Sequence, residues 1–132
     1  MTQEPKRRLT NPELRKAKIA DWDYILYLRN SSFKFFEKQR KPLSKGEHYR
    51  YMIQQLKNPK FAHYFYKEKC YVRILDNDIG VITDPKYRMN GLATEAIVKV
   101  AKLHPNLFAK IHLKNNASFD TFAKASRILS SK

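Results

Sequence analysis

The apolar positions of this chain change period several times, and each change marks an element. Residues Leu14 to Ile19 alternate, with Leu14, Lys16 and Lys18 on one side and Arg15, Ala17 and Ile19 on the other, which predicts a strand. Asp21 then stands where a cap would, ahead of a helix carrying Trp22, Ile25, Leu26 and Leu28 and ending near residues 29–32. Ser44-Lys45-Gly46-Glu47 has the capping-box pattern, Tyr49, Met52, Ile53 and Leu56 follow at helical spacing, and Asn58-Pro59 stops the helix. From Phe61 the period shortens. Three strands are expected, at 61–66, 71–75 and 79–83, with turns at Lys67-Glu68-Lys69 and Asp76-Asn77-Asp78 and a stop at Asp84-Pro85.

A helix is expected from Leu92 to Leu103, with Ala93, Ile97, Val100 and Ala101 on one face and Pro105 closing it. A strand at 107–113 follows, broken by Asn115-Asn116, and then a last helix capped by Ser118 with Phe119, Phe122 and Ala123 inward. The order is strand, helix, helix, three strands, helix, strand, helix. The strand–helix–strand portion near the end requires a parallel pair joined by a right-handed crossover, so the fold class is α/β.

A chain of 132 residues suits one domain, and 42% hydrophobic residues with eight Tyr and eight Phe supply a core without a disulfide or metal. Residues 1–12, polar and carrying Pro5 and Pro12, read as a flexible basic tail before a single domain at 13–132. One cysteine, Cys70, cannot form an internal disulfide and fits a reducing, cytoplasmic setting. No run approaches the ~18 apolar residues of a membrane span, the N-terminus lacks a secretory h-region, and no membrane partner is expected. The formal net charge of +15 favours polyanionic partners: nucleic acid, phosphorylated cofactors or nucleotide-linked substrates. It is spread along the chain, and the densest run, Lys38 to Lys41, equally suits a solvated surface. The histidines at 48, 63, 104 and 112 have no ligand spacing, so no metal site is expected.

The informative segment is Asp78 to Ala101. A short apolar strand runs into Asp84-Pro85-Lys86-Tyr87-Arg88, then Arg88-x-x-Gly91-x-Ala93, and a helix begins at once. Glycine permits positive φ and close backbone approach, and alanine is small. The first amides of a helix have no intrahelical partner and its dipole favours an anion, so the turn suits a pyrophosphate, with Lys86 and Arg88 adding charge. A lone helix-entry glycine would by itself be ordinary turn chemistry.

The run Ile79 to Ile97 resembles the acetyl-CoA-binding motif of the GNAT N-acetyltransferases, a strand followed by Pro-x-Tyr/Phe-Arg/Gln-x-x-Gly-x-Gly/Ala. Gly91-Leu92-Ala93-Thr94-Glu95-Ala96 is similar to the subgroup of ribosomal-protein N-terminal and nucleotide-amino-sugar acetyltransferases, and Asn115 to Lys124 resembles the family's second cofactor segment. Upstream, Leu28-Arg29-Asn30, Ser44 and Glu47-His48 resemble the amino-sugar branch. The resemblance implies a mixed, mostly antiparallel sheet with a central β-α-β crossover and flanking helices. It implies coenzyme A held by main-chain amides from Arg88, Met89, Asn90, Gly91, Leu92, Ala93 and Thr94. The backbone of Ile82 and Thr83 would pair with the pantetheine arm, and Asn115 and Ser118 would face it. Phe122 stands where the family often has a tyrosine that protonates the leaving thiolate, Ser126-Arg127 replaces a usual Gly-Phe, and a further strand pair would be expected after the last helix. A homodimer would supply that missing wall.

In this family the acceptor amine attacks the thioester directly and must be neutral, so a base or a water chain is needed. Asp78, at the start of the cofactor strand, is the first candidate, although Asp76-Asn77-Asp78 is also turn chemistry; His63 is the second. Tyr64 and Tyr66 are possible proton donors, His112 is expected to be structural, and Cys70 has no visible activating partners. The function so implied is acetyl-CoA-dependent N-acetylation of a primary amine, on a nucleotide-linked amino sugar, a peptide or protein amine, or a polyamine, the positive charge arguing against the last. The alternative is a non-catalytic basic module of the same fold, binding CoA, nucleic acid or the ribosome through basic and aromatic residues. A dinucleotide fingerprint is absent from the sequence.

Overall fold

The computed structural model describes residues 13–31, 41–88, 91–109 and 116–130, with the side chains of 116–119 excepted. The elements are β1 (Leu14–Lys16), α1 (Trp22–Ser31), α2 (Lys45–Leu56), β2 (Phe61–Tyr66), β3 (Cys70–Leu75), β4 (Asp78–Thr83), α3 (Leu92–Ala101) and α4 (Asn116–Ser130). The four strands form one antiparallel sheet in the order β1-β2-β3-β4.

Both faces of this sheet are covered, which is why its strands read as nearly continuous apolar runs. Side chains alternate along each strand. Tyr64, Tyr66, Cys70, Val72, Ile74 and Ile79 point to one face, where Ala96, Ile97 and Val100 of α3 and Ala125 of α4 complete a core. Phe65, Tyr71 and Ile82 point to the other, against Trp22, Tyr24, Ile25 and Leu28 of α1 and Met52 of α2. The sheet therefore lies between the two helix layers. Ser44 and Glu47 form the expected capping box of α2, each bonding the other's backbone amide at 3.1 and 3.2 Å.

Both hairpin turns use left-handed backbone. Lys67 and Glu68 have φ of 52° and 59°, and Asp76 and Asn77 have 50° and 67°. Asp and Asn tolerate this region and Glu does not. Glu68 is held there by its buried carboxylate, which accepts from Arg15 Nε at 2.6 Å and Nη2 at 2.8 Å. The same guanidinium grips Asp21 at 2.8 and 2.9 Å, closing a buried anion–cation–anion bridge.

Several expected boundaries move. The first strand stops at Lys16 rather than Ile19, because the Lys18 amide donates to the Asp21 carboxylate at 2.7 Å and starts a 3-10 turn at Ile19–Asp21. Asp21 therefore closes that turn instead of capping α1. Asp78 belongs to the strand, paired with Leu75, and the turn is Asp76-Asn77 alone. The third helix ends at Ala101, two residues early, with the Leu103 amide bonding Val100. The last helix begins at Asn116, so Ser118 lies inside its first turn and is not its cap. Its inward stripe is Phe122, Ala125 and Leu129, with Ala123 off it.

The parallel return after α3 is present at one point. Phe108 donates to Asn77 and accepts from the Ile79 amide, both at 2.9 Å, a parallel bridge with Asp78 as its partner. Residues 110–113 of the expected strand lie outside the described residues. No helix among the described residues is long and apolar enough to cross a membrane.

Candidate active site

The turn leaving β4 is fixed from below by a buried carboxylate. Asp84 is fully buried, accepts from the Lys86 amide at 3.0 Å and from the Tyr24 hydroxyl at 2.5 Å, and its own amide donates to Lys69. It caps the short 3-10 turn Pro85–Tyr87, and the chain then reaches Gly91 in left-handed backbone at φ 74°. That glycine is the N-cap of α3. It has no side chain to satisfy the first helical amides, and a Cβ built on it would meet nothing within 4 Å. Among the described residues nothing caps the amides of Leu92, Ala93 and Thr94, at the first three helical positions.

The electrostatics agree with an anion there. Glu95, the acidic group in the first turn, is turned aside: it accepts from the Tyr66 hydroxyl at 2.8 Å and lies 3.5 Å from Lys67 Nζ. The Tyr66 bond, chiefly, holds this carboxyl below its usual range. Lys69 Nζ and Lys86 Nζ lie 4.7 and 5.8 Å from the centre of the Tyr87 ring, and exposed Arg88 donates through Nε to the Thr83 carbonyl at 3.3 Å.

The edge of β4 away from β3 leads to this turn. Since the Ile79 amide faces Phe108, alternation turns the main-chain groups of Val81 and Thr83 to the same side, and the Arg88–Thr83 contact agrees. Ile82 consequently faces Tyr71 of β3, and its side chain is buried against α1. Of the expected pair, Thr83 reaches the free edge and Ile82 does not; Val81 takes its place. Among the described residues no strand pairs with that edge beyond Ile79.

On the α1–α2 face of β3 and β4 stands a polar cluster that sequence reasoning missed, apart from Asp78 and His63. Arg73 approaches Asp78 to 3.8 Å and lies over Gly80, where a Cβ would stand 2.8 Å from Arg73 Nη2. Arg29 places its guanidinium 4.6 Å above the Tyr51 ring and donates to His48 Nδ1 at 3.1 Å. His48 is fully buried, and its Nε2 donates to the Trp22 carbonyl at 2.8 Å, which leaves Nδ1 as the acceptor. Burial drives the His48 pKa down to about 4, so the ring is neutral at pH 7.

His63 is also pushed down to about 4 by burial, and its Nδ1 meets the Tyr71 hydroxyl at 2.9 Å. It stands opposite Arg73 across β2 and β3, two strands from the β4 edge, so Asp78 and His63 are not brought together. Tyr64 is tied to His104 at 2.7 Å and Tyr66 to Glu95, both on the α3 face. Cys70 is buried, its thiol pushed up to about 12, which fits a packed strand residue. Met89, Asn90, His112 and Asn115 lie outside the described residues, and Ser118 is described by its backbone alone. Among the described residues no three metal-ligating side chains gather. Arg29 had one sequence signal: with Trp22 and Ile25 it shares the buried stripe of α1, an unusual place for a cation.

No family model matches this sequence, and no curated protein is detectably related to it. Solved structures do match. An N-acetyltransferase from Staphylococcus aureus Mu50 superposes with a TM-score of 0.65 at 18% identity, covering 86% of this chain and 81% of that one. The spermidine N-acetyltransferase of Vibrio cholerae, solved with CoA and spermine, gives 0.70 at 13% identity, covering 85% and 78%. A possible acetyltransferase from Clostridium difficile 630 gives 0.64 at 16% identity, covering 86% and 88%. At these identities the likeness establishes the fold: a mixed α+β, GNAT-type architecture with an antiparallel sheet and flanking helices.

Proposed function

We propose that this protein is an acetyl-CoA-dependent N-acetyltransferase acting on a primary amine. The observation that carries this reading is the uncapped start of α3 beneath left-handed Gly91, at the open end of the β4 edge. Coenzyme A would supply the activated acetyl group. The chain's fit to it rests on three features: amides of Leu92, Ala93 and Thr94 for a diphosphate, outward main-chain groups of Val81 and Thr83 for the amide-bearing arm, and neighbouring cations. Met89, Asn90, Asn115 and Ser118 are assigned to the same pocket by resemblance.

The acceptor amine attacks the acetyl carbonyl directly. Its new C–N bond replaces the C–S bond, the sulfur leaves with the electron pair, and the amine's proton passes to a base. Asp78 is the proposed base. It stands at the Phe108 bridge, and its carboxylate is about one-fifth exposed, open to a water-borne or direct proton transfer. His63, neutral and bonded to Tyr71, orients that phenol. Among acceptors, a nucleotide-linked amino sugar or a protein amine is in keeping with the basic chain. The relative from Vibrio cholerae was solved with spermine, a polycation.

Calorimetry with acetyl-CoA tests the donor site, and thiol release across an amine panel tests turnover. Saturable binding with amine-dependent thiol release supports the reading. Nucleic acid binding with a steep salt slope and no response to acetyl-CoA would overturn it.

A further inference from the structure

Resting on the acetyltransferase reading, we propose that the acceptor amine also carries an anionic group, a carboxylate or phosphate, which Arg29 and Arg73 bind on the α1–α2 face of β3 and β4. Arg29 meets the His48 ring nitrogen at 3.1 Å and the π face of Tyr51, both neutral, and among the described residues no carboxylate pairs with it. Burial lowers its pKa first, and the like charge of Arg73 adds to that, against opposing contributions from Tyr51 and Tyr71. A half-buried guanidinium with uncharged partners has unmet capacity for a bidentate anion.

Arg73 supplies the second cation. Its nearest carboxylate, Asp78, stands at 3.8 Å, beyond hydrogen-bond range, and the Arg73 side chain keeps 28% exposure. Arg73 follows Tyr71 by two residues on the same face of β3, and Tyr71 packs in one core cluster with α1 and with the Tyr51 ring that Arg29 covers, so both guanidiniums lie on the same side of the sheet. Among the described residues the charge beside this stretch of β3 and β4 is two arginines against Asp78, with His48 and His63 neutral at pH 7. Gly80 leaves Arg73 free to lie flat on the strand, where a side chain would displace it. An acceptor whose amine reaches Asp78 would thus present its opposite end to arginines. A polycation such as spermine would meet repulsion there.

The test compares matched amines by thiol release: O-phosphoethanolamine with ethanolamine, glucosamine 6-phosphate with glucosamine, β-alanine with propylamine, and spermidine. We expect kcat/KM to be at least tenfold higher for the best anionic member of a pair than for its neutral counterpart. Arg29→Gln and Arg73→Gln should each shrink that ratio at least fivefold, mainly through KM, in variants whose circular dichroism and melting show a folded protein. Arg73 is surface-accessible, so its variant keeps the test open if Arg29→Gln fails to fold. In parallel, titrating O-phosphoethanolamine into 15N-labelled protein should move the Arg29 and Arg73 Nε–Hε resonances. Equal rates within pairs, or preference for spermidine, would overturn the anionic acceptor and leave the acetyltransferase reading intact. No thiol release with any amine, but moving arginine resonances, would overturn the acetyltransferase reading and keep the anion site; still resonances with no anion preference refute the site itself.

Discussion

The Tyr24 hydroxyl donates to the Asp84 carboxylate at 2.5 Å, inside the protein, and so ties α1 to the turn that carries the chain from β4 toward α3. Both residues are fully buried, so neither group can turn to water instead. Tyr24→Phe leaves a buried carboxylate short of a donor, which costs about 1.5–3 kcal/mol. Because Asp84 also caps the Pro85–Tyr87 turn, the loss should loosen the approach to Gly91. The expected outcome is a lower urea midpoint together with a several-fold weaker acetyl-CoA affinity. Stability loss without any change in affinity would show that the turn does not depend on this bond.

Gly91 permits a clean test of the donor site, since space is not the constraint. A Cβ there meets nothing within 4 Å, and the obstacle is the φ of 74°. Left-handed backbone costs a non-glycine residue roughly 1–2 kcal/mol. Gly91→Ala should therefore destabilise modestly and bind acetyl-CoA somewhat more weakly. Gly91→Glu carries a similar backbone cost and adds a negative charge at the uncapped amides. Its acetyl-CoA dissociation constant should rise at least tenfold above that of the alanine variant at 50 mM salt, with the gap narrowing at 500 mM. Equal affinities of the two variants would remove the diphosphate from this turn.

Much of this was legible in the sequence, for identifiable reasons. The capping box at Ser44, the turn residues of the second hairpin and the glycine at 91 each state a local backbone requirement that the fold merely obeys. The parity of β4 was not legible. Ile79, Val81 and Ile82 are all apolar because both faces of the sheet are covered, so alternation could not tell which main-chain groups face outward. Only the pairing of Ile79 with Phe108 decides it. The Arg15 bridge was hidden for another reason: Asp21 and Glu68 are separated by the whole α1–α2 layer in sequence and join only in the packed state.

Asp78 can be separated from the donor site by what its loss should leave intact. It lies at the opposite end of β4 from Gly91. Asp78→Asn keeps its size and the strand pairing with Leu75. A positioned base contributes about 10²–10⁴-fold, so kcat should fall by at least that lower bound at pH 7 while the acetyl-CoA dissociation constant stays within about twofold. An unchanged rate would take Asp78 out of the mechanism.

The two buried histidines set a pH signature of stability. His48 and His63 each titrate near 4 in the folded chain, below the ordinary value of 6.5, mainly through burial. The unfolded chain therefore binds more protons than the folded one between those values. The sign follows: stability from these groups is fully present above pH 6.5 and is lost as pH falls toward 4. Each histidine contributes a slope of at most about 1.4 kcal/mol per pH unit within that window. His63→Asn removes one such group on the sheet, where it answers only Tyr71 across 2.9 Å. His48→Gln removes the other, together with the acceptor for Arg29 and the donor to Trp22, so it should also cost stability at pH 7. Urea melts from pH 4.5 to 7.5 should show the wild-type slope reduced in either variant. A slope unchanged in both would mean that the rings are protonated in the fold, and that Arg29 does not bond a neutral imidazole.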